Sequence, residues 1–129
     1  MLPQRSRMRR SEEFRQVLRA GRRAGGSVLT GHLLLAGPAD SSGRVRSGDP
    51  AKVGFIVSRA VGSAVVRNRV KRRLRELMRK RVASLPEGSL LVLRVRPAAA
   101  GARQADLAAD LDLVIGRLLR RQVGALRQE

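Results

Sequence analysis

Cysteine is absent from this 129-residue chain, and histidine occurs once, at His32. Without cysteine there is no disulfide scaffold, no thiolate zinc site and no cysteine nucleophile. One histidine is too few for a His-based metal cluster and argues against a Ser-His-Asp triad. Acids are scarce, with 10 Asp and Glu against 28 Lys and Arg, a formal net charge of +18. No acidic cluster suggests a dedicated metal site. No apolar run approaches the roughly 20 residues that span a bilayer, so no membrane partner is expected. The basic first ten residues are not followed by the apolar core of a signal peptide. These exclusions predict a soluble cytoplasmic protein that carries no catalytic constellation of its own.

What remains is enough for one domain, residues 1–129. The chain is 43% apolar, and a chain of this size buries roughly two-thirds of its unfolded surface without a staple. Its charge excess opposes folding by self-repulsion and signals a polyanion partner, most often nucleic acid. Arginine supplies 25 of the 28 basic residues. Its planar fork matches phosphate bidentately. An anionic membrane surface is the main competitor on charge alone, but it would need exposed large apolar residues opposite the charge.

Residues 1–10 lack an apolar period and read as a flexible basic arm. Ser11-Glu12-Glu13 suits a helix start, and Phe14, Val17 and Leu18 give a short helix over about 12–20. Val28 to Leu35 reads as a strand. Residues 36–52, rich in Gly, Pro, Ser and Asp, read as a mobile loop. Val53 to Ser58 alternates as a second strand. A long helix is expected over 65–85, with Val66, Val70, Leu74, Leu77 and Met78 on one stripe. Leu90 to Val95 is a third strand. A last helix over about 105–126 has Leu107, Leu111, Val114, Ile115, Leu118 and Leu119 inward, and its group Asp106, Asp110 and Asp112 is read as serving the helix start. The order α-β-β-α-β-α, with room for one more short strand, predicts an α+β fold: a small mixed sheet packed with about three helices. Segment 53–95 is the parallel crossover candidate. No obligate protein partner is implied.

The densest signal lies on the 65–85 helix, where residues 65–82 hold nine basic residues against Glu76 alone. Asn68, Arg69, Arg72, Arg73, Arg79 and Lys80 project opposite the apolar stripe, and Glu76 is expected to pair with Arg72 and Lys80 one turn either side. Such unrelieved positive charge on a helix face points to phosphate contact, with DNA and RNA both open on this pattern.

Arg67-Asn68-Arg69 on a helix, after the strand Val53-Gly54-Phe55-Ile56-Val57-Ser58-Arg59, resembles the protein component of bacterial ribonuclease P. The opening Arg7-Met8-Arg9-Arg10-Ser11-Glu12-Glu13-Phe14 and the strand at Gly88-Ser89-Leu90-Leu91-Val92 are similar too. The resemblance spans roughly residues 5–120. It implies an α/β sandwich with a left-handed crossover, where general packing rules favour the right-handed form. It also implies a subunit that joins a catalytic RNA and promotes removal of the 5′ leader from precursor tRNA. Hydrolysis would be the RNA's, with bound Mg²⁺, and no protein side chain would be catalytic. Matched by position, Arg67, Asn68, Arg69, Lys71, Arg72 and Arg75 would contact the catalytic RNA. Phe14, His32, Arg7, Arg9 and Arg10 would line the leader cleft, with Phe14 a stacking ring. Asn68 could help hold Mg²⁺. Leu18 stands where the family often has an aromatic, and His32 where it can have Tyr, so charge would outweigh stacking in this cleft. The alternative is a non-enzymatic basic binder, of ribosomal type or an architectural DNA-binding protein, which needs no leader cleft.

Overall fold

In a computed structural model of the chain, described here for residues 6–8, 11–35 and 50–127 and for side chains as far as Arg120, the expected α+β class is the one found. Helix α1 spans Ser11–Ala20, strand β1 Arg22–Gly25, β2 Leu29–Leu34 and β3 Lys52–Val57. Helix α2 (Ala64–Arg79), strand β4 (Leu90–Val95) and helix α3 (Gln104–Arg127) follow. The four strands form one sheet in the order β1-β2-β4-β3. β1 pairs with β2, and β2 with β4, antiparallel; β3 and β4 are parallel and are joined through α2.

The sheet is covered on both faces, which is why β4, Leu-Leu-Val-Leu-Arg-Val, reads as a nearly continuous apolar run. Leu29, Leu33, Leu91, Leu93, Val95 and Val53 meet the inward stripes of α2 and α3 in the larger core. Val70, Leu74 and Met78 of α2 and Leu107, Leu111 and Val114 of α3 are completely buried there, and Val66, Leu77 and Leu119 sit at its margin. α3 comes close because β2 has glycine at position 31, where a Cβ would press on Val114 and Leu118. Alternate positions along the strands face the other way. Leu90 and Val92 make a smaller core there with Val17 and Met8, and Phe14, Leu18, Leu34 and Ile56 pack against it. α1 has only ten residues, too few to persist alone, and this packing holds it. Gly21 N–H closes its last turn by donating to Val17 O at 2.7 Å.

The room left for one more short strand is filled, and three expectations change. β1, with the sequence Arg-Arg-Ala-Gly, is the additional short strand; it has no apolar alternation and forms because β2 pairs with it. α2 stops at Arg79 rather than near residue 85. Arg81 Nη1 donates to Leu77 O at 2.8 Å while Asp112 grips the same guanidinium at 2.6 and 3.2 Å, so the helix end is capped from α3. A short 3₁₀ turn, Val82–Ser84, then delivers Leu85 into the core. Of the segment read as a flexible arm, residues 6–8 are docked: Arg7 bridges Val53 in parallel and Met8 N–H donates to Val53 O at 2.9 Å. Residues 1–5, 9 and 10, and 36–49 of the expected loop, lie outside the described residues. Ala51 is buried and Lys52 already belongs to β3.

Candidate nucleic-acid interface

Helix α2 opens with Ser63 Oγ accepting from Val66 N–H at 3.3 Å. Its wholly buried stripe fixes the rotation of the helix, and so the direction of every basic side chain on it. The residues expected to act as one basic face divide between two. Asn68, Arg69, Arg72 and Arg79 are exposed, whereas Arg67, Lys71 and Arg75, spaced i, i+4, i+8, are half-buried along the side nearer β3. Glu76 Oε1 accepts from Arg79 Nη2 at 2.7 Å, an i, i+3 pair in place of the expected pairing with Arg72 and Lys80.

Lys71 and Arg75 border a concave pocket of about 350 Å³ whose other walls are Arg7, Met8, Phe14 and the β3 residues Val53, Gly54 and Phe55. Four site residues from three separate segments thus converge: Arg7 from the docked arm, Phe14 from α1, and Lys71 and Arg75 from α2. Gly54 is the condition for it. Any Cβ there would strike the edge of the Phe14 ring, so glycine lets the ring lie against the strand backbone. Phe14 is therefore both a packing residue of the smaller core and a pocket wall. Glu13, beside it, pairs with Lys52 Nζ at 3.5 Å and ties the start of α1 to β3; both side chains are half-buried. A half-buried ring beside three cations suits a base on the ring and a phosphate on the guanidiniums.

His32 is not in this pocket. It lies on the same sheet face, in the row Arg23–His32–Val92–Gly54, with Val92 between it and the strand under Phe14. It is 8% exposed, and burial first, then the charges of Arg23 and Arg94, holds its pKa below the ordinary histidine value. Arg9 and Arg10 lie outside the described residues.

Two structural roles escaped the sequence reading. Asp110 does not serve the helix start: its buried carboxylate accepts from the backbone N–H groups of Ser27, Val28 and Leu29 at 2.6, 3.0 and 2.9 Å, bracing the β1–β2 turn. Asp112 holds Arg81, and only Asp106, paired with Arg103 at 3.2 Å, sits where it was expected. The signal for Asp110 was available, since position 110 falls on the inward stripe beside Leu107, Leu111 and Val114, where a carboxylate needs partners.

A model of the ribonuclease P family matches residues 2–119. The ribonuclease P protein component of Streptomyces avermitilis is 54% identical over 119 residues, covering 92% of this chain and 96% of the relative. That of Thermobifida fusca is 51% identical over 120 residues, covering 93% and 80%. The RNase P protein of Staphylococcus aureus shares the fold with a TM-score of 0.71 at 17% identity, covering 86% of this chain and 93% of its own. That of Thermotoga maritima does so at 0.67 and 20%, covering 88% and 96%. A match along nearly the whole length, to relatives half identical in sequence, establishes that the chain belongs to the ribonuclease P protein component family.

Proposed function

We propose that the chain joins the catalytic RNA through the outer face of α2 and receives the 5′ leader of precursor tRNA in the pocket beside Phe14. The observation that carries this reading is the pocket itself, where two rings, Phe14 and Phe55, meet three cations. It divides the work of α2. Asn68, Arg69 and Arg72 face outward to the catalytic RNA, while Lys71 and Arg75, expected from sequence to serve that RNA too, turn to the leader. The ribosomal or architectural alternative is set aside by the family to which the chain belongs.

Hydrolysis of the leader bond falls to the RNA. Mg²⁺ prefers oxygen ligands, and among the described residues no three acidic or imidazole groups converge. The pocket is walled by Arg7, Lys71 and Arg75, whose charges repel a divalent cation. The protein's residues therefore do not fit a resident Mg²⁺, and we assign the ion to the RNA subunit. No helix among the described residues is long and apolar enough to cross a membrane; we place the work in the cytoplasm, where precursor tRNA is made.

The two faces of α2 are separable by salt titration. Each phosphate neutralised adds about −0.7 (single strand) to about −0.9 (duplex) to the slope of log K against log salt. Arg72→Ala and Arg69→Ala should each make the slope for the catalytic RNA shallower by about one such step and leave the ratio of precursor to mature tRNA affinities in the holoenzyme unchanged. Lys71→Ala should lower that ratio instead. If all three variants changed the same quantity to the same extent, the division would be wrong.

A further inference from the structure

On the side of α3 away from the sheet, Asp106, Ala109, Leu113, Gly116 and Arg120 recur at alternating steps of three and four residues. That is the period of about 3.5 residues with which one helix meets another. Four of the five are exposed and Gly116 is half-buried. Leu113 and Val65 are the large apolar side chains left exposed among the described residues. Leu113 and Ala109 border a concavity of about 450 Å³ that runs to Val28 and Ala102 beside the β1–β2 turn. Gly116 stands inside the helix, where glycine weakens it. A Cβ there would meet the Arg120 guanidinium at 3.9–4.0 Å and, chain neighbours aside, nothing else among the described residues within 4 Å. The packing of the chain itself therefore does not call for glycine at this position; close approach by a second helix does.

The charges on α3 are segregated. Residues 104–116 hold Asp106, Asp110 and Asp112 and no Lys or Arg, and Arg117, Arg120 and Arg121 follow. Each end suits the dipole of its own helix, but the dipole accounts for neither Leu113 nor Gly116. A chain of net charge +18 repels copies of itself, and 104–116 offers a helical stretch without basic residues.

We infer that two copies of the chain associate through α3, packed antiparallel about a two-fold axis at Leu113. In that register Asp106 of each copy meets Arg120 of the other, and Ala109 meets Gly116. The two Leu113 side chains lie together at the axis, beside the concavities. A two-fold contact makes every such pairing twice. From Asp106 to Arg120 the stripe is about 21 Å long, so within one chain these two residues cannot pair. A single helix stripe stays below the roughly 1,200 Å² of a stable interface, which makes the pair weak and transient. α3 packs on β1 and β2, whereas the Phe14 pocket lies at the β3 edge of the sheet. Pairing leaves that pocket open and is independent of the leader reading.

Sedimentation velocity of the nuclease-treated full chain tests this, at concentrations up to about 1 mM, where even a millimolar dissociation constant registers. Raising salt from about 0.01 M to about 0.1 M shortens the screening length from about 30 Å to about 10 Å. That weakens repulsion between the two basic bodies far more than contacts across the seam. The dimer should therefore increase with salt, opposite in sign to RNA binding. Asp106→Arg and Arg120→Asp should each weaken association by about three- to thirtyfold, because two exposed pairs are lost per contact. The double variant D106R/R120D should restore it. Gly116→Gln favours the helix but blocks the approach, so it should keep the melting temperature and lose the dimer. Three results would each overturn the pairing: a chain still monomeric at the highest concentration, a double variant as weak as the single ones, or association that falls as salt rises, the mark of copies bridged by residual RNA.

Discussion

Asp110→Ala should lower the melting temperature by about 10–20 °C. The carboxylate is buried and is the acceptor for three consecutive backbone N–H groups, those of Ser27, Val28 and Leu29. Alanine leaves all three without that acceptor. An orphaned buried donor costs about 1–3 kcal/mol; with water relieving the exposed Ser27, the other two at the middle of that range sum to about 4 kcal/mol, and each kcal/mol lowers the melting point of a domain this size by about 3–5 °C. Gly26 adds to the sensitivity, because it allows the backbone to lie against the carboxylate. Asp106→Ala is the control: its carboxylate is exposed and pairs with Arg103 within the same turn, so the change should stay within about 0.5 kcal/mol. Equal melting curves for the two variants would show that the three hydrogen bonds do not brace the β1–β2 turn.

The elements legible in the sequence were those with a strong period. α2 and α3 carry apolar residues every third or fourth position, and those positions are the buried ones. β1 was not legible as a strand, because Arg22–Gly25 has no alternation and takes its shape from β2 and from Arg117 Nη1, which donates to Gly25 O at 2.6 Å. The end of α2 was misplaced because the residue that stops it, Arg81, is held by Asp112, 31 positions later. The same limit applied to the site. The basic character of α2 was plain, but its division into an outer face and a pocket face depends on where β3, α1 and the arm pack. Arg7, Phe14, Gly54 and Lys71 are brought together only by the fold, and no local pattern separates Lys71 from Arg72.

Phe14→Ala should weaken the preference of the holoenzyme for precursor over mature tRNA by between about fivefold and about a hundredfold. Base stacking on an aromatic ring contributes about 1–3 kcal/mol per base, and about 1.4 kcal/mol is tenfold in affinity. Phe14 is the one ring α1 offers, since Leu18 cannot stack. Affinity for the catalytic RNA should hold, because Asn68, Arg69 and Arg72 lie on the other face of α2. The ring also packs on the smaller core, so alanine should cost stability, less than the roughly 3–5 kcal/mol of a fully buried Phe because Phe14 is only half-buried. Phe14→Leu separates the two roles: it retains most of the apolar contact with Met8 and Gly54 but cannot stack. A folded Phe14→Leu variant with an unchanged precursor-to-mature ratio would remove the ring from the leader site.

The central claim is that this chain lends binding to an RNA that performs the chemistry. The direct measurement is cleavage of precursor tRNA at limiting Mg²⁺ by the partner RNA alone, by the protein alone, and by both together. The account predicts little cleavage by the RNA, none by the protein at any Mg²⁺ concentration, and rapid release of the 5′ leader by the pair, an advantage that shrinks when the substrate has no leader. Metal-dependent cutting by the purified protein that a single substitution abolishes, or a pair no faster than the RNA alone, would contradict it.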